Sequence, residues 1–335
     1  MSIARPQYSI IIPTYNRAGF LLKTLDSVVN QTLSSDKYEI LIIDDGSTDD
    51  TKEVVLDFQK KHPHSNIRYR YEKNSSPAKS RNLGIKESKG KIVFFTNDDC
   101  VVPSNWMETM LDGYRRYPDI VGTGGWHETT SQKTSFLQKC EDALDNKFGA
   151  GVLNTETKTN LYFLSYLGSQ PANLSYKKSI LEEYGGFDEN LRSLRWTAKE
   201  FNIKALARGC LFLHLPLEVK RIKKSGLKDF FYQYVAEGRD LFYLHRKYPR
   251  LIGDIYIGFF NNFLRLLAYA EINHFYAAYF FSTLFHMGGR ALAKYQERLS
   301  VKETDLLPNN TFEILKRMTG EKMTVKTSGI PFDKS

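Results

Sequence analysis

The chain has 335 residues, with 47 Lys and Arg against 38 Asp and Glu, for a formal net charge of +9. At roughly 150 residues per domain this length allows two domains, or one large domain with an appendage; with 41% apolar and 25% charged residues, disorder, collagen and coiled coil are excluded. The surplus of base suits an anionic partner, whether nucleic acid, an acidic membrane face or a phosphorylated substrate, and composition does not choose among them.

Taken in chain order, the first hundred residues alternate between two periods. Residues 8–12 form an apolar run ended by Pro13, and residues 17–31 carry Leu21, Leu22, Leu25, Val28 and Val29 at helical spacing. A second apolar strand over 39–43 is closed by Asp44-Asp45-Gly46-Ser47. The helix expected next takes Ser47 or Thr48 as N-cap and buries Val54, Val55 and Phe58. Residues 67–71 read as a third strand. Ser76-Pro77 supplies an N-cap and a proline at the first helical position for a helix through Lys86. Residues 91–95 form a fourth strand, ending in Thr96-Asn97-Asp98-Asp99.

Such alternation predicts an α/β fold, a Rossmann-like, mostly parallel sheet with helices on both faces. Right-handed crossovers place the first and fourth strands side by side, with ligands beyond their carboxyl ends. Residues 105–225 are mixed, with a helix around 106–114, a Gly185-Gly186 turn and a helix over about 199–207 ending at Gly209. From Leu227 the chain turns to aromatic-rich helical segments. The expected division is a nucleotide-sugar-binding half over 1–104, an acceptor-binding half over 105–225 and a helical C-terminal extension over 226–335.

Cys100, Cys140 and Cys210 are odd in number and widely spaced, with no C-x-x-C pair, which argues against a zinc ribbon and for a reducing compartment. The first residues are too short a run for a signal-peptide core, so the expected location is the cytoplasm.

Four carboxylates, Asp44, Asp45, Asp98 and Asp99, end two strands that should converge on one crevice. Like charges held together need a cation or donors to compensate them, and oxygen-rich sites suit Mg²⁺ or Mn²⁺. Asp49 and Asp50 read instead as turn and cap residues.

Four motifs then occur in order: Ile11-Ile12-Pro13-Thr14-Tyr15-Asn16, Asp44-Asp45-Gly46-Ser47-Thr48-Asp49, Ala78-Lys79-Ser80-Arg81-Asn82-Leu83-Gly84 and Asn97-Asp98-Asp99. With Gly185-Gly186-Phe187-Asp188-Glu189 they make the sequence, over about 8–210, resemble the inverting family 2 glycosyltransferases of GT-A fold. The resemblance implies transfer of a sugar from a nucleotide diphosphate-sugar, UDP-linked by preference, to a hydroxyl of a glycan or glycolipid acceptor. It implies that Pro13 and Tyr15 line the base and ribose pocket and that Asp45 accepts a hydrogen bond from the base. Asn97 and Asp98 would lie near the ribose, Asp99 would hold the divalent metal, and Arg81 would orient the loop or approach phosphate.

The usual proton acceptor of the family is a Glu-Asp pair, and Thr197-Ala198 stands in its place. Three readings follow. Glu200 is the base; or a shifted loop presents Asp188 or Glu189; or the protein binds nucleotide-sugars without transferring them. The histidine that many relatives place after the last strand is also missing, its region reading Glu218-Val219-Lys220-Arg221-Ile222-Lys223-Lys224, and these cations could neutralise diphosphate or face a lipid head group. His214, between two leucines, reads as a core residue. The aromatic segments within 255–298 suit an interfacial helix on the cytoplasmic face of an anionic membrane, or a surface that pairs two copies of the chain. No nucleic-acid motif is present.

Overall fold

The computed structural model describes residues 5–73, 76–130, 171–222 and 227–248. The alternation read from the first hundred residues is found there as β1 (Tyr8–Thr14), α1 (Ala18–Val29), β2 (Tyr38–Asp44), α2 (Thr51–Lys61), β3 (Asn66–Tyr71), α3 (Pro77–Glu87) and β4 (Ile92–Phe95). Side chains alternate across a strand, so Ile10, Ile12, Ile40, Ile42 and Phe94 pack on one face with α1 and α2. Ile11, Leu41, Ile43, Val93 and Phe95 pack on the other, where α3 lies. β1 pairs in parallel with β2 and with β4, Tyr8 standing opposite both Tyr38 and Ile92. The reversal of strand order between β1 and β4 is the switch point expected from the sequence.

Two local devices set α3 in place. Ser76 Oγ accepts the Lys79 N–H at 3.3 Å, with Pro77 behind it. Gly84 lets the helix sit directly on β1, since a Cβ there would lie 2.6 Å from Ile11 Cγ2.

The sheet continues with β5 (Cys100–Val101), β6 (Ile120–Thr130), β7 (Leu174–Lys177) and β8 (Leu211–Ile222), in the order β3-β2-β1-β4-β7-β6-β8-β5. β4–β7, β6–β7 and β5–β8 are antiparallel pairs. These four strands are not legible as strands in the sequence. β6 holds Gly122, Gly124 and Gly125, which weaken strand propensity. Yet a Cβ at Gly125 would meet the Leu217 carbonyl oxygen at 2.1 Å, so close pairing with β8 requires the glycine. β8 carries Pro216, and the β6–β8 register shifts between Gly124 and Trp126. The basic run expected after the last strand lies partly within it, as Glu218–Ile222 of β8.

Helices α4 (Trp106–Arg116), α5 (Lys178–Glu183), α6 (Leu194–Leu206) and α7 (Leu227–Lys247) complete the described chain. Two boundaries differ from expectation. α2 opens at Thr51 rather than behind Ser47 or Thr48, because Asp49 bonds the Thr51 N–H at 3.2 Å and the preceding residues form a loop. α6 opens at Leu194, not near 199, so Thr197 and Ala198 lie inside it. A residue distant in sequence holds the backbone leading into α6: Asp240 of α7 accepts the Arg192 N–H at 2.9 Å and the Ser193 N–H at 2.5 Å. Burial pushes the Asp240 carboxyl up to about 7, against the opposing pull of those two donors. The segments within 255–298 lie outside the described residues, and no helix among the described residues is long and apolar enough to cross a membrane.

Candidate functional site

The crevice at the carboxyl ends of β1, β2 and β4 is assembled by loops that bind one another. Asn16 takes a left-handed conformation, φ 51°, unusual for a residue other than glycine. That turn lets Asn16 Oδ1 accept the Thr48 N–H at 2.7 Å and the Asp49 N–H at 3.3 Å, while its own N–H donates to Ser47 Oγ at 2.8 Å. Asp49 Oδ2 returns the link by accepting the Ala18 N–H at 3.1 Å. The loops after β1 and β2 are thus clipped together. Replacing Asn16 by alanine removes three acceptor contacts, to the Thr48 N–H, the Thr48 hydroxyl and the Asp49 N–H, and puts a residue less tolerant of the left-handed region at the same φ. Folding stability is expected to fall by about 1–3 kcal/mol, and urea unfolding giving parental stability would show the clip to be dispensable.

The four strand-end carboxylates have separate tasks. Asp44 is committed to its turn, accepting the Ser47 N–H at 2.8 Å and the Tyr69 hydroxyl at 2.5 Å. Asp45, next to Gly46 at φ 90°, follows β2 and donates its N–H to the Thr14 carbonyl at 2.9 Å. Pro13 is half-buried in β1. Tyr15 is 45% exposed beyond the end of β1, and Tyr71 is 54% exposed at the end of β3, where it pairs in register with Asp44. Sequence reasoning did not single out Tyr71; its signal was an aromatic residue closing a strand of the sheet.

Beyond β4, Asn97 Oδ1 accepts from Arg81 Nη2 at 3.0 Å. Arg81 is fully buried and also donates from Nη1 to the Pro77 carbonyl at 3.2 Å, so it grips the motif from within the fold. Burial draws its pKa down to about 10. Asp98 accepts from Thr14 Oγ1 at 3.0 Å and from Arg17 Nη1 at 3.2 Å. Asp99 Oδ2 accepts from Arg17 Nη1 at 3.3 Å and from Arg221 Nε at 3.0 Å, and the Cys100 thiol lies 3.5 Å from Oδ1. Burial raises the Asp98 carboxyl above its ordinary value despite Arg17. For Asp99 the same burial is outweighed by Arg221 and Arg17, which hold it below the ordinary range.

Arg17 escaped the sequence reading. Its signal was a cation at the N-terminus of α1, the end that repels positive charge unless an anion is near. Arg221 was visible only as one of a basic run; the pairing of Cys100 with Arg221 across β5 and β8 brings it to Asp99.

A divalent cation fits Asp98 and Asp99 by oxygen type. It does not fit their present contacts, because both oxygens of Asp98 and Oδ2 of Asp99 are engaged by Thr14 and the two guanidiniums. Among the described residues there is no cluster of three His, Cys, Asp or Glu side chains able to hold a metal. His214 is buried, and burial lowers its pKa to about 4.

Glu200 belongs to a second polar network. It is fully buried, and its Oε1 accepts from the Tyr248 hydroxyl at 2.6 Å and from Lys247 Nζ at 3.1 Å. Oε2 has no hydrogen-bond partner among the described residues, with Lys204 Nζ 4.0 Å away. Lys247 also donates to Asp188 Oδ2 at 2.7 Å, and Tyr243 donates to the same oxygen at 2.9 Å. Burial tends to raise the Asp188 carboxyl, but the Lys247 hydrogen bond and charge hold it below the ordinary range. Glu189 accepts from Asn82 Nδ2 at 3.0 Å, tying its loop to α3.

A mostly parallel sheet whose strand order reverses between β1 and β4, with acidic residues at the ends of β2 and β4, defines a doubly wound α/β protein. The chain belongs to glycosyl transferase family 2, whose profile matches residues 9–185, more than half of its length. Glycosyltransferase AglE of Haloferax volcanii is 30% identical over 207 residues, 59% of this chain and 62% of that protein. A Methanococcus voltae dolichyl N-acetyl-α-D-glucosaminyl phosphate 3-β-D-2,3-diacetamido-2,3-dideoxy-β-D-glucuronosyltransferase is 31% identical over 131 residues, 38% of this chain and 41% of that enzyme. The chain therefore spans less than two thirds of these relatives.

Solved structures share the GT-A fold. S. aureus TarS 1-349 in complex with UDP-GlcNAc gives a TM-score of 0.54 at 17% identity, covering 93% of this chain and 80% of that one. Mannosyltransferase PcManGT from Pyrobaculum calidifontis, in complex with GDP-Man and Mn²⁺, gives 0.51 at 16% identity, covering 90% and 77%.

Proposed function

We propose that this glycosyltransferase takes a nucleotide diphosphate-sugar, UDP-linked by preference, and moves the sugar with inversion to a hydroxyl of a glycan or glycolipid. The observation that carries the reading is the convergence of Asp45 from β2 and Asn97-Asp98-Asp99 from β4 on the end of β1. Tyr15 and Tyr71 offer exposed rings to a base, and the Asp45 carboxylate suits the ring N–H of uracil. Asn97 suits a ribose hydroxyl, with Arg81 holding it in place, while Asp98 beside it is taken up by Thr14 and Arg17.

In a single displacement the acceptor oxygen bonds to the anomeric carbon as the bond to the diphosphate breaks. The electron pair leaves with the nucleoside diphosphate, and the acceptor proton passes to a carboxylate. Glu200 is the residue proposed for that proton, and its enclosure by Lys247 and Tyr248 means that the end of α7 must withdraw before an acceptor reaches it. Asp188 shares the same lysine. The enclosure of both carboxylates, with Thr197-Ala198 inside α6, favours one second reading, a protein that binds nucleotide-sugars without transferring them.

Calorimetry with UDP tests the donor pocket. Asp45→Ala is expected to weaken binding about 10- to 100-fold, the value of one charged hydrogen bond; unchanged binding would remove Asp45 from base recognition. A donor-consumption assay then separates the two readings. Turnover that falls in Glu200→Gln supports transfer through Glu200, and UDP-sugar binding with no turnover supports the silent binder.

A further inference from the structure

The charge pattern at the end of β4 carries one step more. Two adjacent buried carboxylates would repel a diphosphate, yet here each is matched by a guanidinium. Arg17 Nη1 bridges Asp98 and Asp99 at 3.2 and 3.3 Å, and Arg221 Nε closes on Asp99 at 3.0 Å. The carboxylates are therefore neutralised from within the chain.

Arg17 is built to offer more than this bridge. Its side chain is 45% exposed, and among the described residues only Nη1 of its guanidinium makes hydrogen bonds. A guanidinium carries five N–H donors in a planar fork suited to phosphate. Arg17 also stands at the N-terminus of α1, where the helix dipole adds to its positive charge. An exposed cation with unspent donors, oriented by two buried acids at a helix N-terminus, is a phosphate-binding arrangement.

We infer that the Arg17–Arg221 pair, oriented by Asp98 and Asp99, receives the diphosphate of the donor, so that nucleotide binding by this chain needs no divalent cation. Arg17 binds phosphate oxygens directly from the rim. Arg221 is the inner cation that balances Asp99 and keeps the local charge favourable to the anion. The same pair faces the charge that develops on the departing nucleoside diphosphate. The inference deepens the donor-site reading above and rests on it.

The test is isothermal titration calorimetry of the full chain with UDP and with GDP, in EDTA and again in Mn²⁺. At least one nucleotide is expected to bind in EDTA with an affinity within about threefold of that in Mn²⁺. Arg17→Ala and Arg221→Ala are each expected to weaken binding in EDTA about tenfold or more, the effect of one charged hydrogen bond. Arg17→Lys should recover only part, because an ammonium lacks the planar fork. Thermal unfolding of each variant shows whether it remains folded. If Arg221→Ala does not fold, the exposed position of Arg17 leaves Arg17→Ala as the deciding variant. Binding that vanishes in EDTA and returns with Mn²⁺ overturns the inference while leaving the donor site standing, as does parental affinity in a folded Arg17→Ala. No binding of either nucleotide in either condition overturns the donor-site reading, and this inference with it.

Discussion

Replacing Lys247 by methionine is expected to cost about 3–5 kcal/mol of folding stability near neutral pH, the usual effect of removing one partner from a buried ion pair. Lys247 Nζ lies 2.7 Å from Asp188 Oδ2 and 3.1 Å from Glu200 Oε1, and the three side chains are 7%, 8% and 0% exposed. Methionine fills the space but leaves two carboxylates facing tyrosine hydroxyls and Lys204 at 4.0 Å. Buried acids without a counter-charge titrate higher than ordinary ones. The parent's Asp188, by contrast, is depressed, so its contribution is present above the ordinary carboxylate range and is lost as pH falls through its lowered value. The stability difference between parent and variant should therefore shrink as the pH is lowered toward 4. Urea unfolding at several pH values measures it, and a loss below about 1 kcal/mol at pH 7 would show the network to be no stronger than a surface pair.

The second large effect bears on the proposed transfer rather than on folding. Asp99→Asn keeps the side-chain shape but removes the charge that orients Arg17 and Arg221 through a single oxygen, Oδ2. Fixed donors aimed at developing charge are worth about 100- to 1,000-fold in rate, and a loss of that size in donor consumption is expected. The midpoint of thermal unfolding should move by only a few degrees, because Arg17 is half-exposed and keeps its contact with Asp98. A fall in turnover of less than tenfold in the folded variant would take Asp99 out of the site.

The legible part of this protein is the part governed by short-range pattern. Ile10 and Ile12 against Ile11, and Ser76-Pro77 ahead of α3, state their faces and boundaries within a few residues. The same holds for the acids at the ends of β2 and β4. The rest depends on distant partners. Nothing near Glu200 in sequence announces Lys247, 47 residues later, and nothing near Asp99 announces Arg221, 122 residues later. The glycines of β6 read locally as strand breakers, although the packing against β8 requires Gly125. The backbone leading into α6 is held by Asp240 of α7, a partner that no window around residue 194 contains.

That contact has a practical side. The profile of the family ends at residue 185, but α7 supplies the acceptor for the two backbone N–H groups just before α6 and places Tyr243, Leu244 and Tyr248 in the core beside Phe201. A shortened chain cut near 226, where the composition changes, would expose that apolar face and release the backbone leading into α6, inviting aggregation. One cut after 248 keeps both.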